Sequence, residues 1–157
     1  MWKTPTGLVL SILFAAMLLG DGRARAENVV GSRIFVEFGF DTTAPEMKAA
    51  QRWGAELFAK AKAAGRPVTM RVARSDATIL IMLESVAICD RVKACPLLVF
   101  RDITAKPVLK TTAFQNLILD YRDTGTYLII RIWDSTKECR VSNVAVAKCR
   151  DPKPAKR

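Results

Sequence analysis

From Thr78 onward the chain is a succession of short apolar segments: TILIML (78–83), SVAIC (85–89), CPLLVFRD (95–102), PVLKTTAF (107–114), NLILDYRD (116–123) and TYLIIRIWD (126–134). Short runs rich in branched and aromatic residues, separated by brief links such as 103–106 and 115–116, read as strands. The link Arg122-Asp123-Thr124-Gly125 has a glycine to supply positive φ, so NLILDY and TYLIIRIW are expected to form a hairpin. The turn-like stretch RSDA (74–77) predicts another hairpin leading into TILIML. TILIML has no polar alternation, and it reads either as a central strand covered on both faces or as part of a short buried helix. The second half of the chain is therefore expected to be an antiparallel β-meander.

The first half changes period twice. In RIFVEFGF (33–40), Ile34, Val36, Phe38 and Phe40 alternate with Arg33, Phe35, Glu37 and Gly39, the two-residue repeat of a strand. Residues 41–65 then place Met47, Ala50, Gly54, Leu57, Ala61 and Ala64 on one helical stripe flanked by Trp53 and Phe58. Thr43 with Glu46 fits a capping box, Pro45 falls in the first turn, and Gly65 is placed to close the helix in a left-handed conformation. RPVTMRVA (66–73) returns to strand character, and the order strand, helix, strand allows a right-handed crossover between parallel strands. The expected fold is α+β: one domain over 27–150, with one main helix packed on a mostly antiparallel sheet that starts β-α-β and continues as a meander.

The run from VEFGFD through the helix to PVTMRVA resembles the start of outer-membrane-protein-A-like peptidoglycan-binding domains, which place a strand, a helix and a second strand in that order. That family's signature is an Asp, then a glycine, then an Asn and an Arg on the next helix. Here TILIML follows Arg74-Ser75-Asp76-Ala77, so no binding residue carries over. The Cys-x5-Cys loop leading into CPLLVF and a meander is similar to small exported bacterial proteins of unassigned function. This resemblance implies a compartment and a cystine-stapled sheet, and it supplies no activity.

Residues 1–26 have the pattern of an export signal: Lys3 near the start, an apolar stretch from Leu8 to Leu19, and Ala24-Arg25-Ala26 as a small-x-small cleavage site. The apolar stretch is shorter than the roughly 20 residues of a membrane-spanning helix. Cleavage before Glu27 is thus expected, leaving no stable membrane span and a periplasmic or secreted product. The formal net charge of +10 would fall to +8, because the signal carries Lys3, Arg23 and Arg25 against Asp21. DPKPAKR (151–157) has two prolines and no apolar face, and is expected to be a disordered basic tail.

In an oxidising compartment the four cysteines, Cys89, Cys95, Cys139 and Cys149, read as two cystines. Three connectivities are open. Pairing 89 with 95 and 139 with 149 is favoured, because each closes a short loop bounded by apolar residues. The spacings do not suit a redox pair with two intervening residues or a zinc site. The first cystine would hold Asp90, Arg91 and Lys93 on a tight projection, a candidate partner loop.

Histidine is absent from the chain, which excludes Ser-His-Asp and Cys-His nucleophiles, histidine zinc sites and histidine proton shuttles. Asp41, Asp76, Asp90, Asp102, Asp123 and Asp134 sit where turns explain them, although a carboxylate pair of the glycosidase kind would be visible only in three dimensions. The aromatic residues read mainly as core. No catalytic residue, metal site or cofactor is predicted, and no nucleic-acid module is visible. Lys137, Arg140, Lys148, Arg150, Lys153, Lys156 and Arg157 gather near the C-terminus as candidate anion-binding residues. The expected function is that of a small non-enzymatic exported protein binding an anionic envelope component or another exported protein. The alternatives are a histidine-free hydrolase using two carboxylates and an inhibitor-like module presenting the 89–95 loop.

Overall fold

The computed structural model describes residues 30–133, 135–142 and 146–151. The predicted export signal, most of the predicted tail and Asp134 lie outside the described residues. The elements in chain order are β1 (Arg33–Phe35), α1 (Ala44–Trp53), α2 (Ala55–Ala63), β2 (Thr69–Ser75), β3 (Thr78–Glu84), β4 (Cys95–Phe100), β5 (Leu109–Ala113), β6 (Leu117–Arg122), β7 (Gly125–Ile132), β8 (Ser135–Arg140) and β9 (Lys148–Arg150). They form two antiparallel sheets, one ordered β2-β3-β4-β5 and the other β1-β6-β7-β8-β9.

This corrects the expected α+β fold with one main helix on one sheet. Among the described residues strands take up 44% and helices 16%, with two short helices and two sheets. The cause lies in β3 and β4, which are apolar at consecutive positions, so that each needs cover on both faces. Leu80, Met82, Leu97 and Val99 point one way, into a core shared with Leu117, Leu119, Leu128 and Ile130 of the second sheet. Ile81, Leu83, Leu98 and Phe100 point the other way, against Ala49, Ala50, Trp53 and Leu57 of the helices. The molecule has three layers: helices, four-stranded sheet, five-stranded sheet. TILIML is the doubly covered strand.

The helical stretch is also two elements where one was expected. The capping box forms, with the Thr43 amide donating to Glu46 Oε2 at 2.7 Å. The helix breaks at Gly54, where φ is −113° and ψ 18°. A Cβ there would stand 2.8 Å from Leu83 Cδ1 and 2.9 Å from the Ala50 carbonyl oxygen, so glycine permits the close approach to β3. Met47 and Ala64, assigned to the buried stripe, are exposed, and Ala49 is buried. Gly65 closes α2 with φ +63° as a Schellman motif: Arg66 N–H donates to the Ala61 carbonyl and Gly65 N–H to that of Lys62.

The strand expected over 33–40 divides its pairing. Residues 33–35 pair with β6, whereas Gly39 bridges Val72 in the other sheet. The strands on either side of the helices therefore lie in different sheets, and the parallel crossover does not form. Phe40, expected inside, is 64% exposed and lies under the Arg71 guanidinium, 4.5 Å from its ring centroid. SVAIC is a turn. β8 and β9, polar in sequence, are strands that the sequence reading missed.

The hairpins at 75–78 and 122–125 form as the turn residues implied, and Gly125 has φ +128°. The cystines join Cys89 to Cys95 and Cys139 to Cys149. Among the described residues no helix is long and apolar enough to cross a membrane.

Candidate functional site

Two surfaces concentrate chemistry. The first is the outer face of the five-stranded sheet. Register puts Arg33 and Phe35 of β1, Asp120 and Arg122 of β6, Tyr127 and Arg131 of β7, Glu138 and Arg140 of β8, and Lys148 and Arg150 of β9 on that face. Their inward neighbours Leu119, Tyr121, Leu128, Ile130 and Cys139 fill the core. Six cations thus share one face with two carboxylates.

Both carboxylates are paired with arginines. Asp120 Oδ2 is 3.2 Å from Arg33 Nε and 2.6 Å from Arg122 Nη2, and Glu138 is 2.7 Å from both Arg122 Nη2 and Arg150 Nη2. The result is an alternating chain, Arg33–Asp120–Arg122–Glu138–Arg150, running across the sheet. Burial works against ionisation of Asp120, but hydrogen bonds from Arg122 and Arg33 outweigh it and hold its carboxyl below the usual range. Glu138 is held below its usual range by Arg122, against the opposing effect of burial and with help from Arg150. The Arg122 guanidinium also stacks 4.4 Å over the Tyr127 ring. Arg131, Arg140 and Lys148 have no carboxylate partner among the described residues, and all three are exposed.

Of the predicted anion-binding residues, Arg140, Lys148 and Arg150 are brought together here. Lys137 is not, because its register partner Ile130 puts it on the opposite side of the sheet. Lys153, Lys156 and Arg157 lie outside the described residues. Arg33, Arg122 and Arg131 were missed, being scattered over about 100 residues of sequence. The signal available for Arg122 and Arg131 was their outward position in the two-residue repeat of their strands.

The second surface surrounds the 89–95 loop. Asp90 Oδ1 accepts the amides of Val92 at 2.7 Å and Lys93 at 2.8 Å, so its carboxylate is spent on the loop's own turn. The Lys93 amide, followed by that of Val92, holds the Asp90 carboxyl below its usual range. The loop leaves Arg91 and Lys93 exposed, with Val92 73% exposed. Trp133, 70% exposed and left-handed at φ +48°, donates from Nε1 to the Val92 carbonyl at 3.4 Å and packs edge-on to Phe114 at 5.4 Å. Left-handed backbone costs a bulky residue about 1–3 kcal/mol, so this indole is held in place by its surroundings.

Beside the loop opens a cleft of about 830 Å³. Met82, Ala113, Ser85 and Cys89 lie buried at its base, and its exposed lining includes Arg66, Val86, Arg91, Gln115 and Asn116. Sequence reading did not find it, since its residues come from four separate segments. Two further carboxylates are also held below their usual range: Glu46, where burial is outweighed by the Arg74 hydrogen bonds and the Thr43 amide, and Asp102, bound by the Thr104 amide and hydroxyl. No carboxyl among these five is raised towards the pKa of a general acid.

No family model, curated protein or solved structure matches this chain. The fold and the two surfaces stand on their own geometry.

Proposed function

We propose that this chain is an exported, non-enzymatic binding protein that docks on an anionic surface of the cell envelope through the outer face of its five-stranded sheet. The observation that carries this reading is the presence on that face of Arg131, Arg140 and Lys148 without carboxylate partners among the described residues, beside two carboxylates already paired with other arginines. Phe35, 76% exposed on the same face, adds an apolar contact suited to a lipid interface. The two cystines suit an oxidising, extracytoplasmic compartment.

A basic side chain near an anionic lipid surface contributes about 1 kcal/mol, so three spare cations amount to roughly a hundredfold in partitioning. The test is co-sedimentation of the protein, both cystines formed, with phosphatidylglycerol-containing vesicles and with pure phosphatidylcholine vesicles. Retention should be confined to the anionic vesicles, vanish near 1 M salt where screening shortens to about 3 Å, and drop sharply in R131E/R140E/K148E. Equal retention of the triple variant would sink the proposal.

A further inference from the structure

The cleft lies at one end of the four-stranded sheet, beside the connecting segments at 85–91 and 114–116. Thr69 stands opposite Glu84, and Cys95 opposite Ala113, on the face of the four-stranded sheet that carries Met82. Met82 and Ala113 belong to the main core, with Cys95 packed against it. Met82 and Ala113 are fully covered, so the apolar surface that the cleft presents comes from Pro67, Val86, Cys95 and Phe114. A volume of about 830 Å³ lies within the roughly 300–1,000 Å³ of small-molecule sites.

The charges around the cleft are unequal in availability. Glu84 is occupied on both oxygens: Arg71 Nε donates to Oε2 at 3.1 Å and Gln115 Nε2 to Oε1 at 3.0 Å. Asp90 is bound by its own loop amides. Arg66, set by the Schellman turn that ends α2, and Arg91, set by the stapled loop, have no carboxylate partner among the described residues. The cleft therefore offers two available guanidiniums beside partly apolar walls, with Glu84 bonded on both oxygens and Asp90 Oδ1 held by its own loop.

We infer that this cleft binds one single-chain anionic amphiphile, its apolar chain against Pro67, Val86, Cys95 and Phe114 and its carboxylate or phosphate head between Arg66 and Arg91. Guanidinium groups match both heads through bidentate hydrogen bonds. This site is separate from the outer sheet face, and neither arginine belongs to that surface.

Calorimetric titration of the full protein with oleate, lysophosphatidate and uncharged monoolein, each below its micelle-forming concentration, tests the inference. One-to-one binding of an anionic ligand is expected, at least tenfold tighter than monoolein. Preference for oleate or for lysophosphatidate identifies the head that the arginines take. R66A/R91A should lose at least tenfold in affinity for the anionic ligand while keeping the wild-type near-ultraviolet spectrum. V86E, which puts a carboxylate on an exposed rim position, should weaken it as well, while R131E/R140E/K148E should bind normally. Equal affinity for monoolein, no binding of either anion, binding of an apolar peptide in their place, or unchanged affinity in R66A/R91A overturns the inference.

Discussion

Gly54 shows how one residue sets both a local and a long-range feature. Its missing side chain lets the helices settle on Leu83, and its departure from helical geometry divides a stretch that the periodicity presents as continuous. Gly54→Ala should destabilise the fold by about 1–3 kcal/mol, since a Cβ would meet both a core methyl group and a carbonyl oxygen. Urea unfolding followed by tryptophan fluorescence measures it, and an unchanged midpoint would show that the contact relaxes freely. Residue by residue, the sequence was most legible where local chemistry decides: the Thr43–Glu46 cap, Gly65 and Gly125 all act as their types require. It was least legible at Trp133 and Phe40. Hydrophobicity alone sends both inside, yet one is held on a left-handed turn and the other lies beneath an arginine.

At the scale of elements, the charged chain across β1, β6, β7, β8 and β9 ties stability to pH. Asp120 and Glu138 have pKa values depressed below their ordinary 3.8 and 4.5, so the folded state binds fewer protons than the unfolded one in the acid range. Their contribution is complete above those ordinary values and is lost as pH falls through the depressed folded-state values. Glu46, held by Arg74, acts in the same direction. The denaturation midpoint should therefore be level between about pH 6 and 7 and fall between about pH 5 and 3, with a shallower fall in E138Q. A profile that E138Q leaves unaltered would remove the pair from the account. Strands with apolar periodicity were readable as β3 to β7. β8 and β9 were not, because Ser135-Thr136-Lys137-Glu138-Cys139-Arg140 owes its strand state to pairing with β7 and to the cystine opposite Cys139. Propensity gives way to pairing partners in such strands.

At the scale of the whole molecule, the layering was hidden because a list of strands does not say which sheet each joins. Only the runs of consecutive apolar residues in β3 and β4 indicated a sheet covered twice, and the second cover proved to be another sheet. The basic face and the cleft were legible only in part for the same reason: Arg33, Arg122, Arg131 and Arg66 gain their meaning from register and from the turn that ends α2. Each cystine lies within a single layer, 89–95 in the four-stranded sheet region and 139–149 inside the five-stranded sheet, so neither cystine ties one layer to another. Reduction should cost about 2–3 kcal/mol per bridge through freedom regained by the unfolded chain, while the slowest-exchanging amides remain those of β3 and β4. Deuterium exchange in oxidised and reduced protein would show this, and loss of protection centred on β3 would contradict it. The molecule thus divides its cohesion in two. Within a sheet it answers to the redox state of its surroundings, and between layers to burial from water and to non-covalent contacts such as Ser75–Tyr121 and Arg74–Glu46, so warming or denaturant can part layers that a reductant leaves joined.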